Sequence, residues 1–154
     1  MAKKYHLEQS REKHQPVFIG IACRSKDYQL CFHINKKLDL HLRKLPDLRI
    51  VFPGQFEACS YSLYRHQDAS RRLDYILLSN HHPDSKLIPE FKQTDYFLMV
   101  AGETTATEIE KTIFALRSVP GVLLAYYLDL SRTKLLDVIL ADLELHLLIT
   151  DKKG

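Results

Sequence analysis

Glycine is scarce in this chain, five residues in 154, and Gly20, Gly54, Gly102 and Gly121 stand isolated from one another. That is too little to build a phosphate-cradling loop, and neither a Walker loop nor a dinucleotide fingerprint is present. Cysteine is equally sparse. Cys23, Cys31 and Cys59 are odd in number and widely spaced, with no C-x-x-C pair to grip a metal or run thiol exchange. Cys23 is expected to end an apolar strand and Cys31 to lie on a helix beside Leu30 and Ile34, so both read as small core hydrophobes. A catalytic thiol is the minor reading. Long apolar runs are missing too. The longest, Val122 to Leu128, has seven residues, against the roughly 18 or more needed to span a bilayer. The N-terminus has basic residues but no apolar segment behind them, so it does not read as a secretory signal, and the cytoplasm is the expected compartment. Nor is there a Gly/Ser or Pro-rich linker. One domain over 1–154 is expected, loose only at about 1–4 and 150–154.

What is present suits a packed domain: 45% apolar and 27% charged residues, near the average for globular proteins. Phe18 to Cys23 is short and apolar, bounded by Pro16 and Arg24, and reads as a strand buried on both faces. A helix follows, capped by Ser25, with Asp27 in its positive first turn and Leu30, Ile34 and Leu38 on one face. Leu38, Leu40, Leu42 and Leu45 then nearly alternate, as a return strand would. Residues 57–65 and 73–78 read as a β-hairpin joined by the polar stretch 66–71. Tyr96 to Ala101 is a second apolar strand broken by Gly102. After it, Thr105-Ala106-Thr107-Glu108 is a capping box, Ile109, Ile113 and Leu116 line a helix, Pro120-Gly121 stops it, and Val122 to Leu128 reads as a second central strand. In the tail Ser131 reads as a cap and Leu135 and Ile139 suit a helix. Leu143, Leu145 and Leu147 alternate as in a strand, while Leu136, Leu140, Leu143 and Leu147 also fit helical spacing. Helix through about Leu143 is the favoured reading, with 143–150 ambiguous. Together these segments predict an α+β fold: two β-α-β units plus a central β-hairpin, forming a mostly antiparallel sheet with helices on one face, ferredoxin-like or ACT-like in layout.

The most specific stretch is Leu87-Ile88-Pro89-Glu90-Phe91-Lys92-Gln93-Thr94-Asp95-Tyr96-Phe97-Leu98. It resembles the signature of the IPExxxVDY family, a bacterial family of unknown function, with weaker likeness at Asp27-Tyr28, Asn35 to Leu38, Tyr61 to Tyr64, Asn80 and Tyr126. Thr94 stands where the family name has Val, and its hydroxyl is not neutral if buried. Read physically, Pro89 forces Ile88 into an extended conformation and presents Glu90 on a stiff segment ahead of the strand. Glu90 and Asp95 held together would suit acid/base work or Mg²⁺. The favoured reading is structural, with Glu90 paired, Asp95 closing the turn and Tyr96 packed with its hydroxyl satisfied.

Two further groups carry chemistry-bearing side chains. His81-His82-Pro83-Asp84 holds metal-type ligands, but adjacent histidines at a strand end point opposite ways, and a third ligand such as His66 or Glu90 is not compelled by spacing. No metal or cofactor is expected. Charge is uneven: residues 1–80 hold fourteen Lys/Arg and eight Asp/Glu, residues 81–154 eight and eleven. Lys36, Lys37, Arg43, Lys44 and Arg49, with Arg65, Arg71, Arg72 and an exposed Tyr64, would form a stripe for RNA phosphates with the ring free to stack. The asymmetry equally suits self-association. The expected function is a non-catalytic cytosolic binding or assembly module, a homo-oligomer through a sheet edge or helix face. An RNA-associated accessory protein is the alternative, and a carboxylate-dependent enzyme at Glu90 and Asp95 a weaker one. Ligand sensing would require a pocket near Gly102 and the start of the second helix.

Overall fold

The two apolar runs either side of the motif-bearing loops end up as neighbours at the centre of one sheet. In the structure, a computed structural model that describes residues 16–130, 133 and 136–153, β1 (Val17–Cys23) pairs antiparallel with β5 (Tyr96–Gly102), Ile19 opposite Leu98. Four more strands, β2 (Arg43–Ile50), β3 (Cys59–Asp68), β4 (Leu73–Ser79) and β6 (Val122–Leu128), complete a six-stranded open sheet of order β2-β3-β4-β5-β1-β6. Every neighbouring pair is antiparallel. Three helices accompany it: α1 (Asp27–Leu38), α2 (Ala106–Leu116) and α3 (Leu136–Lys153). The fold is α+β, as the sequence implies. β5 and β6 run in the same direction with β1 between them, and β1 and β2 do so with three strands between them, so neither expected β-α-β unit sets its strands side by side.

Both faces of the sheet are apolar, and that decides where the helices go. On one face Ile19, Ile21, Leu77, Leu98 and Val100 pack with Leu30 and Ile34 of α1 and Ile109, Ile113 and Leu116 of α2. On the other, Phe18, Tyr61, Leu63, Ile76, Phe97 and Met99 pack with Leu87, Ile88 and with Ile139 and Leu143 of α3. Helices on one face only is therefore corrected: α3 crosses to the second face, because alternate residues of six strands leave large apolar side chains there that need cover. The ambiguous tail is helix throughout, past Leu143 and through residues expected to be loose. The expected cap Ser131, Leu135, and the loose residues 1–4 and 154 lie outside the described residues.

Three local expectations shift. The return strand begins at Arg43, not Leu38. Leu40 and Leu42 are buried ahead of it, where the Asn35 side chain accepts from the Leu42 amide and donates to its carbonyl, at 2.8 and 3.1 Å. Lys26 takes the cap position of α1 instead of Ser25, its amide donating to Gln29 Oε1 at 3.1 Å. Ser25 is used otherwise, its carbonyl accepting from the Tyr96 hydroxyl at 3.1 Å. The capping box of α2 is half made. Thr105 Oγ1 accepts from the Glu108 amide at 3.2 Å, while the Glu108 carboxylate accepts from Thr104 Oγ1 at 3.0 Å. The hairpin forms as expected, with β3 running on to Asp68.

The largest departure concerns β6. Its apolar sequence predicts a central strand, yet it is an edge, paired only with β1 among the described residues.

Candidate functional site

The motif-bearing stretch is a loop organised by one side chain. Asn80, fully buried at the end of β4, donates through Nδ2 to the carbonyls of Phe91 and Thr94, at 3.1 and 2.9 Å, and accepts through Oδ1 from the Ile88 amide at 2.8 Å. Its backbone closes the two ends, the amide donating to Asp95 O at 2.9 Å and the carbonyl accepting from the Leu87 amide at 3.1 Å. The Phe91 amide donates to Ile88 O and the Thr94 amide to Phe91 O, both at 3.1 Å, so the Pro89 turn is fixed from within. Ile88 and Leu87 fill the second core, and Glu90 is exposed on the turn.

Asp95 joins this loop to β1. Its Oδ2 accepts from the Cys23 amide at 2.8 Å and its Oδ1 contacts His81 Nε2 at 2.5 Å. Lys86 Nζ lies 3.2 Å from His81 Nδ1. Lysine brings only donors, so Nδ1 accepts and Nε2 carries the hydrogen toward Asp95. Both Asp95 oxygens are thus engaged in tying β1, β5 and the 81–86 segment together. His82 turns elsewhere, its Nδ1 accepting from the Asp84 amide at 3.1 Å. No group of three or more His, Cys, Asp or Glu with metal-binding proximity occurs among the described residues. Burial pushes the thiol of Cys23 up and that of Cys31 up to about 11, so both are protonated at neutral pH and neither is an activated nucleophile.

Tyr96 is buried, and desolvation raises its hydroxyl well above the ordinary value. Thr94 is buried as well, and its Oγ1 lies 2.5 Å from the Tyr126 hydroxyl of β6. The hydroxyl that separates Thr94 from valine therefore has a partner. That contact depends on Gly20. Tyr126 crosses β1 there, and a Cβ on residue 20 would stand 2.7 Å from its ring.

The predicted basic stripe is broken up. Lys36, Lys37, Arg43, Lys44 and Arg49 are exposed. Tyr64, expected on the surface, is only 7% exposed, and its hydroxyl donates to Asp27 Oδ2 of α1 at 2.9 Å. Burial first, and then that carboxylate, hold the phenol protonated. Its ring is covered by Lys44, 5.7 Å from the centroid, and is not open to a base. Arg65 faces the opposite side of the sheet, between Asp74 at 2.7 Å and Asp151 of α3 at 3.0 Å. Arg71 and Arg72 are exposed at the β3–β4 turn, where Arg72 reaches Glu103 at 3.5 Å.

The β6 edge lacks such fittings. Leu123 and Leu124 are 61% and 53% exposed, and Phe114 of α2, the helix that packs on β6, is 76% exposed. Arg117 Nε donates to the Ala125 carbonyl of the strand at 3.1 Å. A second apolar area lies on the outside of α3, at Val138, Leu145, Leu148 and Ile149, but Asp142 and Glu144 sit among these residues. No helix among the described residues is long and apolar enough to cross a membrane. No family model, curated protein or solved structure matches this chain at a significant level.

Proposed function

We propose that this chain is a non-catalytic assembly module that joins a second copy of itself edge to edge along β6. The observation that carries the reading is the state of that edge: a seven-residue strand, VLLAYYL, with no charge, no proline and no strand on its outer side among the described residues, its pairing with β1 regular from Leu124 to Leu128 and shifted in register between Leu124 and Val122. An edge of this kind offers unpaired backbone groups as a template for another strand. Two copies meeting antiparallel about a two-fold axis present the same apolar strand residues to each other. The outer side of α3 is less suited, since antiparallel self-pairing would bring Asp142 and Glu144 of two copies together.

The same reading takes residues 87–98 as an architectural element of an IPExxxVDY-type protein, supported by the hydrogen bonds Asn80 makes to that loop and by the Thr94–Tyr126 contact that carries it to β6. It also takes the sub-sheet β4-β5-β1-β6, with α1 and α2 on one face, as a ferredoxin-like core extended by β2 and β3. A cytoplasmic setting accords with three buried, unpaired cysteines.

Sedimentation equilibrium tests the assembly. The expected species is a dimer, and Leu123→Lys with Leu124→Lys is expected to weaken it at least thirtyfold (about 2 kcal/mol) by placing charges in an apolar seam. Both residues are exposed in the single copy, so circular dichroism of the variant should match the parent. A parent protein that stays monomeric at about 100 μM, a concentration at which micromolar pairing is nearly complete, sinks the proposal.

An RNA-associated role is the second reading, supported now by Lys36, Lys37, Arg43, Lys44 and Arg49 alone. It predicts RNA affinity that falls steeply with salt. Affinity that salt leaves unchanged ends it.

A further inference from the structure

The outer side of α2 carries an uncovered ring. Phe114 is 76% exposed and stands one turn from Arg117, whose Nε donates to the Ala125 carbonyl at 3.1 Å. That carbonyl lies on the outer edge of the sheet. The Ile21 carbonyl accepts from the Asp95 amide at 2.9 Å, so Ile21 faces β5 while its neighbours Gly20 and Ala22 face β6. Tyr126 and Leu124, opposite those two, bond inward, and Ala125 between them presents its amide and carbonyl outward. Ala125 is also the middle residue of β6.

The position of α2 over this edge follows from burial. Of the strands, α2 packs most closely on β6. Its Ile109, Ile113 and Leu116 share a core with Ile19 and Ile21 of β1 and Ala125 of β6, yet Tyr127, on the same face as Ala125, is 62% exposed. The helix axis therefore runs inward of β6, above the gap between β6 and β1. Long side chains on a helix lean toward its N-terminus, so the Arg117 guanidinium lies about a turn before its own backbone, and Ala125 is level with Phe114.

Pairing along β6 then fixes what Phe114 meets. With the two-fold axis at Ala125, all seven residues of each strand lie opposite the other strand. Strands stand about 4.8 Å apart, so α2 of the second copy runs antiparallel to the first about two spacings away, roughly 10 Å, the distance at which helices pack. Helix Cα atoms lie about 2.3 Å from their axis, which leaves roughly 5 Å between Cα atoms that face each other across the seam. We propose that the β6 dimer is closed by a second contact, α2 on α2, in which Phe114 of each copy packs on Phe114 of the other at the two-fold axis. The contact rests on the assembly reading and adds a helical layer to it. Charge does not oppose it. Glu110 and Arg117, both exposed, flank Phe114 on either side, and the axis sets each Glu110 about one residue's rise from Arg117 of the second copy, nearer than its own counterpart. Exposed pairs of that kind contribute little, so the ring carries the contact.

The test uses the full chain. Phe114→Ala should weaken the dimer at least tenfold in sedimentation equilibrium, since both copies lose the ring and buried aromatic residues are the usual anchors of an interface. Circular dichroism should match the parent, because the ring is exposed in the single copy. Phe114→Cys should give a disulfide-linked dimer under mild oxidation, as Cα atoms roughly 5 Å apart lie within disulfide range. Cys23, Cys31 and Cys59 are buried and do not compete. Ser118→Cys, exposed one turn on, is the control, since it stands roughly 12 Å from its counterpart and should stay unlinked. A parent dimer that Phe114→Ala leaves as tight as before, or in which Phe114→Cys links no more readily than Ser118→Cys, overturns the helix contact and leaves the strand pairing standing. A parent that stays monomeric at about 100 μM overturns both.

Discussion

The two edges of the sheet carry opposite instructions. β2 is irregular: Pro46 removes a backbone donor, the register against β3 slips between Leu45 and Leu48, and Lys44 closes on Asp47 at 2.5 Å. α3 packs beside it, and His146 Nε2 lies 2.8 Å from the Pro46 carbonyl. Proline, a bulge, charge and a covering helix are the means by which proteins blunt a strand edge. β6 shares part of this, a register shift against β1 between Leu124 and Val122 and the guanidinium of Arg117 on its Ala125 carbonyl, but its seven residues include no proline and no charge. A molecule adhesive along one edge and closed along the other assembles to a pair and stops, whereas two open edges would propagate.

The largest test of this contrast lies behind β6. Asn80 holds the loop from which Thr94 reaches Tyr126, so Asn80→Ala strands the Thr94 carbonyl and the Ile88 amide in a buried place and leaves the Phe91 carbonyl with the Thr94 amide as donor. We expect a loss of about 2 kcal/mol in chemical denaturation, from roughly 1 kcal/mol per orphaned group. Hydrogen exchange should rise first in β5, β1 and β6. If β2 and β3 open earlier, the loop is not the prop of the β6 side. Next in size is Pro46→Val, which restores a donor to β2. Sedimentation should then show species beyond the dimer at about 100 μM, because the second edge becomes able to pair. An unchanged dimer would mean that α3 and the bulge suffice without proline. The smallest effect belongs to Arg117→Ala. Freeing the Ala125 carbonyl should tighten the dimer by about threefold, in line with roughly 0.5–1 kcal/mol for an exposed side-chain hydrogen bond. A weaker dimer would make Arg117 part of the seam.

The contrast also explains what could be read in advance. β1, β5 and α2 were legible because uninterrupted apolar runs and a Thr-x-x-Glu start are local signals. β6 was legible as a strand but not as an edge: Leu123 and Leu124 look like core residues in sequence, and only the strand order reveals that no strand among the described residues lies beyond them. β2 was blurred because its pattern is interrupted at Pro46, where the bulge shifts the alternation. α3 was blurred because apolar residues surround it, Leu143 facing the core and Leu145 facing away. In the motif-bearing loop, Pro89 and the buried Ile88 follow from local rules. Asn80 stood out only as a point of likeness, since nothing local says that one amide will serve partners eleven and fourteen residues later. Tyr64 was misplaced for a similar reason: its acceptor, Asp27, comes from another element altogether.

The glycine in the middle of β1 has a mechanical consequence. Because Tyr126 passes over it to grip Thr94, the outermost strand is strapped to a loop on the far side of β1. A pull on β6 is therefore felt at the 80–95 loop without passing through the ladder, and a bulkier residue 20 would sever that tether while leaving every strand its place in the order.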